Sequence, residues 1–368
     1  MEFLNRTGAA SIVTQGLDAD GSERLVIILK RRYLFPVAGS VLTPAEGPAT
    51  IRLTDDFHGE PGVSATRWEA DVAPLKPACD VVVCGSAHAP GGTPCRTCEV
   101  ALRVADGRID KRFRITGPRT WHRGWIRTSP TDPDVFVTQP VHYGVAFGGP
   151  DAAEPDPEKR ICYAGNPIGM GWATHRRRVD QVPMPRTEGL ADPVRLPDGT
   201  YIPMSLSVLP RNTASRIALA GTYDQRWRDE TAPLLPEDFQ SAYHQCAPPD
   251  QQMPFPTGGE LIELHNLTPE GTTTFRLPAL DQPGMVIGAD HTETDLPLAV
   301  DTIAIDADTR TVDITWRASQ PLRESLHEIA SVIVGTMSAG WHRARRLGKS
   351  YYPSVADLIA STSRRNEA

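Results

Sequence analysis

The segment TCEVALRVADGRIDKRFRI, residues 97–115, decides the fold class of this chain. Apolar and polar residues alternate on both sides of Asp106–Gly107, which is the pattern of two half-buried strands joined by a tight turn. The segment therefore predicts a β-hairpin, with strands at 97–104 and 108–115. The second strand carries four basic residues that are expected to form a solvated edge, because strand edges commonly carry such charges. These are Arg108, Lys111, Arg112 and Arg114.

Similar strand patterns recur on both sides of this hairpin. Short apolar or alternating runs bounded by turn residues predict strands at 22–35, 78–85, 260–267, 273–277, 285–287, 298–307 and 311–317. Residues 326–334 fit a helix or a strand, and their β-branched end favours a strand. Few amphipathic helices are expected. The chain is therefore predicted to be mainly β, with an antiparallel β-sandwich-like architecture, long Pro/Gly-rich irregular loops and few short helices.

Length and composition limit the remaining choices. The 368 residues suit two domains or one large β domain, and 34 prolines and 30 glycines suit many turns. A net charge of −7 argues against a general nucleic-acid binder. Neither a stretch of about 18 apolar residues nor a secretory signal is found, so a cytoplasmic protein is expected.

The chain is divided by composition into three ranges. Residues 1–117 are predicted to form an N-terminal β domain, and 118–335 a loop-rich β domain. Residues 336–368 form a basic tail with a candidate short helix at 353–360. Glycines between 144 and 171 lack the strand–loop–helix context of a phosphate-binding loop and are interpreted as turns that need positive φ. They are Gly144, Gly148, Gly149, Gly165, Gly169 and Gly171.

The six cysteines are expected to be reduced thiols in the cytosol. Cys95 and Cys98 have CxxC spacing, and Cys79 and Cys84 lie upstream, so a zinc site is conceivable. The gap between Cys79 and Cys84 is wide for a zinc ribbon. The preferred interpretation is small buried hydrophobic side chains. Neither a metal nor a cofactor is assigned.

Residues 218–259 form a proline-rich tract with almost no regular pattern. Proline lacks an amide donor, so such a tract does not form a helix interior or a central strand. Aromatic side chains on an irregular segment either pack that segment onto its own scaffold or present it to a partner. The four residues to which a partner-binding role is assigned are Tyr223, Trp227, Phe239 and Tyr243.

Two other classes of function stay open. Asp224 and Glu237–Asp238 near His244 are the best group for a carboxylate-and-histidine hydrolase, although no GxSxG, HExxH or Walker motif organises them. A small-molecule or carbohydrate-binding β-sandwich would also use aromatics on a β scaffold. No catalytic residue is assigned. The basic clusters Arg176–Arg178 and Arg343–Lys349 are expected to be solvated, and they offer an alternative docking site for acidic partners.

Seven segments resemble one known family, the domain-of-unknown-function family 2169, in order along roughly residues 5–320. They are DVVVCGSAHAPGG (80–92), VHYGVAFGG (141–149), YAGNPIGMGW (163–172), LAGTYDQRW (219–227), PLLPEDF (233–239), APPDQQ (247–252) and GGELIELHNLTPEG (258–271).

The resemblance implies a bacterial type VI secretion adaptor or chaperone. Such a protein is non-enzymatic and cytoplasmic. It holds a type VI secretion effector and assists its loading onto a spike made of VgrG-type and PAAR-type components. No catalytic residues are transferred from the family, and the four cysteines at 79–98 fall outside its pattern. Neither a nucleic-acid nor a membrane partner is expected.

Overall fold

A computed structural model describes residues 1–18, 20–36, 39–323, 325–349, 351–352 and 359. Strands account for 36% and helices for 13% of the structure, arranged as several sheets with few short helices. The predicted mainly β class is therefore confirmed. Among the residues described, no helix is long and apolar enough to cross a bilayer.

The strands are numbered in chain order. They are β1 Glu2–Asn5, β2 Ala10–Leu17, β3 Glu23–Leu34, β4 Thr43–Pro44, β5 Asp56–Phe57, β6 Thr66–Trp68, β7 Cys79–Cys84, β8 Ser86–His88, β9 Thr97–Val104, β10 Ile109–Thr116, β11 Trp121–Arg123, β12 Thr128–Pro130, β13 Thr138–Pro140, β14 Phe147–Gly148, β15 Met170–Gly171, β16 Thr187–Glu188, β17 Gln252–Met253, β18 Leu261–His265, β19 Thr272–Arg276, β20 Gly284–Gly288, β21 Glu293–Asp295, β22 Ala299–Asp306, β23 Thr311–Pro321 and β24 Ile329–Val334.

The helical segments are short. The α-helices are α1 Ala214–Ile217 and α2 Ala339–Arg346, and Trp227–Thr231 forms one π-helical turn. The 3-10 turns are Pro90–Gly92, Ala105–Gly107, Tyr143–Val145, Pro157–Lys159, Arg176–Arg178, Ser241–His244, Pro249–Gln251 and Leu326–Glu328.

The largest sheet has seven strands in the order β17-β7-β22-β23-β3-β2, with β4 added to β3. Adjacent strands in this sheet pair antiparallel, except that β22 and β7 run parallel. Residues 25–29 of β3 are completely inaccessible to solvent, which explains their continuous apolar sequence. The predicted strands at 22–35, 78–85, 298–307 and 311–317 are all confirmed in this sheet.

The hairpin predicted around Asp106–Gly107 is confirmed. β9 and β10 pair antiparallel from Ile109↔Val104 to Thr116↔Thr97, within a five-stranded sheet of order β16-β10-β9-β18-β19. The expected solvated basic edge is wrong for Lys111, whose side chain is only 7% exposed. Lys111 lies on the face that also carries Phe113 and Ile115, because side chains two residues apart share a face.

Glycines between residues 144 and 171 serve two purposes. Gly148, Gly149 and Gly171 adopt positive φ, as expected, but Gly144, Gly165 and Gly169 do not. At Gly169 an added Cβ would collide with the side chain of Asn166, so this glycine is explained by close approach. Asn166 is fully buried, and its Nδ2 donates to the Tyr143 carbonyl at 2.8 Å.

The chain divides into two compact units. The smaller unit comprises Met1–Gly8, Gln282–Pro297 and His327–Ala368, and the larger unit comprises Ala9–Asp281 and Leu298–Leu326. The smaller unit contains the sheet β1-β24-β20-β21 and helix α2. Residues 326–334 form a 3-10 turn followed by β24, so the favoured strand is confirmed.

The predicted ranges 1–117, 118–335 and 336–368 do not coincide with these units. One sheet joins β9 and β10 to β18, on opposite sides of the boundary at 117. The division into these three ranges stays a prediction. The candidate helix at 353–360 falls outside the described residues except for Ile359.

Candidate partner-binding surface

The proline-rich tract has two parts that differ in burial. Residues 222–239, here called the exposed lobe, include Tyr223, which is 51% exposed. Residues 245–253, here called the anchor segment, include Ala247 and Gln251, which are at most 1% exposed. The tract is therefore fixed to the scaffold at one end and presented to solvent at the other.

The anchor segment is held by the carboxylate of Asp80, which is fully buried on β7. Asp80 Oδ1 accepts from Gln245 Nε2 at 2.8 Å and from the Ala247 amide at 3.2 Å. Asp80 Oδ2 accepts from the Cys246 amide and from Lys76 Nζ, both at 2.8 Å. Burial by itself would lower the pKa of Lys76, but the Asp80 carboxylate raises that pKa above its usual range.

Gln251 makes a second buried connection between the tract and the sheets. Its Nε2 donates to the carbonyls of Val81 at 2.8 Å and Leu206 at 2.9 Å. Its Oε1 accepts from Lys111 Nζ at 3.0 Å, and Lys111 also binds Asp250. Burial lowers the pKa of Lys111. The anchor segment thus contacts both β7 and β10, which belong to different sheets.

The exposed lobe is closed by its own hydrogen bonds. Asp238 accepts from the amide of Thr222 at 2.8 Å and from its hydroxyl at 2.7 Å, and these bonds lower the pKa of Asp238. Asp224 accepts from the amide of Trp227 at 2.8 Å, at the start of the π-helical turn. Trp227 Nε1 donates to the Leu234 carbonyl at 2.9 Å. The lobe therefore holds a defined shape although it is solvated.

The four predicted site residues form two separate ring pairs. Tyr223 and Trp227 meet edge to face at 4.7 Å in the exposed lobe. Phe239 and Tyr243 meet at 5.8 Å where the lobe joins the anchor segment, and both are half-buried. Only the first pair includes a ring that is mainly exposed.

Arg216 fixes Tyr243 of the second pair to the scaffold. Its guanidinium makes two hydrogen bonds to the Glu69 carboxylate, at 2.7 and 3.0 Å. It also donates to the Tyr243 carbonyl at 2.7 Å and lies over the Tyr243 ring at 5.4 Å. Tyr243 therefore packs against the scaffold, whereas the ring of Tyr223 is available for contact with a partner.

The lobe carries more negative than positive charge. Five carboxylates, Asp224, Asp229, Glu230, Glu237 and Asp238, stand beside two guanidinium groups, Arg226 and Arg228. Arg226 is already paired with Glu230 at 3.0 Å. A partner that contacts the Tyr223–Trp227 pair therefore meets an acidic border.

The group considered for a hydrolase is not assembled as an acid–base pair. His244 packs against the rings of Phe239 and Tyr243 at 5.6 and 5.9 Å, and its buried Nε2 has no hydrogen-bond partner within the described residues. Asp224 and Asp238 instead accept hydrogen bonds from backbone amides of the lobe. Burial, together with the nearby cations Lys76, Arg211, Arg317 and Arg216, lowers the pKa of His244 to about 4.

This depressed pKa predicts a loss of stability in mild acid. Between about pH 6.5 and pH 4 the unfolded chain protonates this imidazole while the folded chain does not. The free energy of unfolding therefore falls as the pH is lowered through this window. We expect His244→Phe to reduce the slope of this fall by at most about 1.4 kcal/mol per pH unit. Urea unfolding at several pH values in this window measures the difference. The control is His122→Gln, which replaces an imidazole that is 59% exposed; an unchanged slope in His244→Phe would contradict the prediction.

The cysteines are free thiols. Cys79, Cys84, Cys98 and Cys246 are buried, which agrees with the preferred interpretation, whereas Cys95 is only half-buried and Cys162 is exposed. Burial raises the pKa of Cys84 to about 11 and that of Cys98 to about 12. Within the described residues no group of three or more His, Cys, Asp or Glu side chains is placed to hold a metal ion.

The two basic clusters are surface features with some fixed partners. Arg176 pairs with Asp198 at 2.8 Å. In the smaller unit, Arg345 pairs with Glu293 at 2.8 Å beside a cavity of about 1040 Å³. Trp125, to which the sequence had assigned no role, is 99% exposed. Its position beside a turn glycine, in Arg123-Gly-Trp-Ile-Arg127, was the available signal.

Comparison with known protein families finds a match. A family model described as an uncharacterized protein conserved in bacteria (DUF2169) matches residues 20–317. No curated protein and no solved structure matches the chain. The matched range contains the largest sheet apart from strand β2 and the end of β23, and it contains the whole proline-rich tract. The chain therefore belongs to the DUF2169 family.

Proposed function

We propose that this protein is a non-enzymatic cytoplasmic adaptor that binds a type VI secretion effector and assists its loading onto a VgrG/PAAR-type spike. The observation that carries the proposal is the Tyr223–Trp227 ring pair, presented on a lobe that is closed by its own hydrogen bonds. Aromatic side chains supply much of the binding energy in protein interfaces, and a pre-formed loop loses little entropy on binding.

The polar groups of the lobe support binding more than catalysis. Asp224 and Asp238 accept hydrogen bonds from backbone amides of the lobe itself. A general base must instead face the proton that it removes. These carboxylates shape the surface on which the rings stand.

The acidic border of the lobe indicates the chemistry of the bound segment. A segment of the effector with Lys or Arg next to an apolar or aromatic residue would fit both the charges and the rings. The charges would mainly speed encounter and exclude acidic competitors, and the rings would supply most of the affinity.

Alanine substitutions test this assignment. We expect Tyr223→Ala to weaken effector binding about tenfold or more, because it removes an exposed ring without opening a core cavity. Its melting temperature should stay within about 2 °C of the wild type. Trp227→Ala should weaken binding as well, with some loss of lobe order from the missing bond to the Leu234 carbonyl. Binding is measured by co-purification and titration with the effector encoded in the same gene cluster.

Tyr243→Ala is the matched control. It removes a half-buried ring that lies under Arg216, so it should lower stability by about 2 kcal/mol. Its effect on effector affinity should be small once the variant is folded. Effector binding that survives both Tyr223→Ala and Trp227→Ala would remove the exposed lobe from the proposal.

A further inference from the structure

The most exposed aromatic residue described lies outside the proline-rich tract. Trp125 and Ile126 are 99% and 88% exposed at the turn between β11 and β12. In the same hairpin Trp121 is fully buried, and its Nε1 donates to the Gly171 carbonyl at 2.8 Å. Two adjacent large apolar side chains in water are unusual on a free surface and commonly mark a contact site.

The hairpin tip, defined as residues 123–127, is held in place. The Gly124 amide donates to the Arg127 carbonyl at 3.0 Å, which closes the turn. Arg177 Nη2 donates to the Trp125 carbonyl at 3.2 Å, and the Arg123 amide donates to Asp180 at 2.9 Å. The backbone beneath Trp125 is therefore fixed from a second loop, while the indole stays free.

Arginines surround this apolar tip. Arg123, Arg127 and the turn Arg176–Arg178 supply five guanidinium groups, all on exposed residues, and none of these positions is a lysine. In the described part of the chain, the guanidinium groups of Arg127 and Arg178 have no hydrogen-bond or ion-pair partner. A guanidinium group matches a carboxylate in a two-bond geometry. Because the whole chain carries a charge of −7, this positive patch is a local feature.

We propose that the hairpin tip docks into an acidic protein surface that contains a small apolar pocket. Trp125 and Ile126 fill the pocket, and the surrounding arginines bind Asp and Glu side chains at its border. Trp and Arg are the residue types most enriched among interface hot spots. Only two apolar side chains protrude, which suits a protein pocket better than stable attachment to a lipid surface. This site is separate from the exposed lobe, whose border has the opposite charge.

A peptide-display selection tests the proposal without the effector. A random library of peptides about 12 residues long is selected on the full-length protein and counter-selected on the double variant Trp125→Ala/Ile126→Ala. We expect enriched peptides to carry Asp or Glu around an aromatic or aliphatic residue. Titrated by fluorescence anisotropy, they should bind the double variant about 30-fold more weakly, and Arg127→Glu about fivefold more weakly.

Matched controls separate site-specific effects from general ones. Arg108→Glu makes the same charge change at another exposed arginine, and Ile202→Ala removes an apolar side chain that is 75% exposed. Both should keep the peptide affinity of the wild type within about twofold. Tyr223→Ala should also keep the peptide affinity of the wild type. A failure of the hairpin-tip proposal is therefore distinguishable from a failure of the proposed effector surface.

Three results would overturn the proposal. One is the lack of any peptide that distinguishes the wild type from the double variant. Another is enrichment of peptides without acidic residues that bind Arg127→Glu as well as the wild type. The third concerns vesicles that contain about 30% phosphatidylglycerol. If the protein sediments with these vesicles only when Trp125 is present, and no peptide distinguishes the wild type from the double variant, the tip is assigned to a lipid surface.

Discussion

Replacing Asp80 by alanine is expected to lower the free energy of unfolding of the larger unit by about 3–5 kcal/mol. The substitution leaves the Lys76 ammonium buried without its carboxylate, although Thr302 Oγ1 still accepts from it at 2.9 Å. It also removes the acceptor for the amides of Cys246 and Ala247 and for the side chain of Gln245. Unpaired buried donors and charges are among the most destabilising changes in proteins.

Urea denaturation followed by fluorescence and circular dichroism measures this loss. Glu230→Ala is the control, because it breaks an ion pair whose side chains are 69% and 64% exposed and should cost at most about 1 kcal/mol. The double variant Lys76→Met/Asp80→Leu should recover part of the loss, since it removes the unpaired charge but not the unpaired amides. A cost below about 1 kcal/mol for Asp80→Ala would contradict the anchoring role of this carboxylate.

Gly149→Ala is expected to destabilise the larger unit by about 3–5 kcal/mol. Gly149 has φ of +88°, and an added Cβ would collide with the carbonyl of Gly169. The Gly149 amide also donates to the Asn166 carbonyl at 2.8 Å, so the two loops have little freedom to separate. Both backbone strain and overlap with neighbouring backbone therefore oppose the substitution.

Gly47→Ala is the matched control for the backbone conformation. Gly47 has a similar φ of +77°, but nothing lies within 4 Å of an added Cβ. Its cost should be about 1 kcal/mol from conformational strain alone. The loss of unfolding free energy is measured for both variants by urea denaturation. Equal losses would show that the close approach of the two loops contributes nothing to the effect of Gly149→Ala.

The strands were predictable because their signal is local. Alternation around Asp106–Gly107 and the apolar run at 25–29 report burial directly, and both were found where expected. Lys111 was not predictable in this way. Its neighbours in sequence suggest an exposed basic strand, whereas its partners Asp250 and Gln251 lie about 140 residues away.

The candidate surface was predictable only in part. The proline-rich tract was identified from its composition, and its four aromatics were named. The distinction between the exposed Tyr223 ring and the Tyr243 ring under Arg216 depends on hydrogen bonds from Arg216 to Glu69 and to the Leu209 carbonyl. The roles of the two tryptophans of the β11–β12 hairpin also could not be distinguished, because residues 121 and 125 differ in exposure and not in type.

The amino-acid sequence alone determined the β class, most strand positions, the family and the position of the irregular tract. These properties follow from hydrophobic periodicity, turn residues and motif order, all of which are local along the chain. Only the tertiary structure decided which part of the tract is buried, because that depends on Asp80 reaching amides some 165 residues away. A buried carboxylate is stable only where distant donors converge on it, and no pattern of neighbouring residues contains that information.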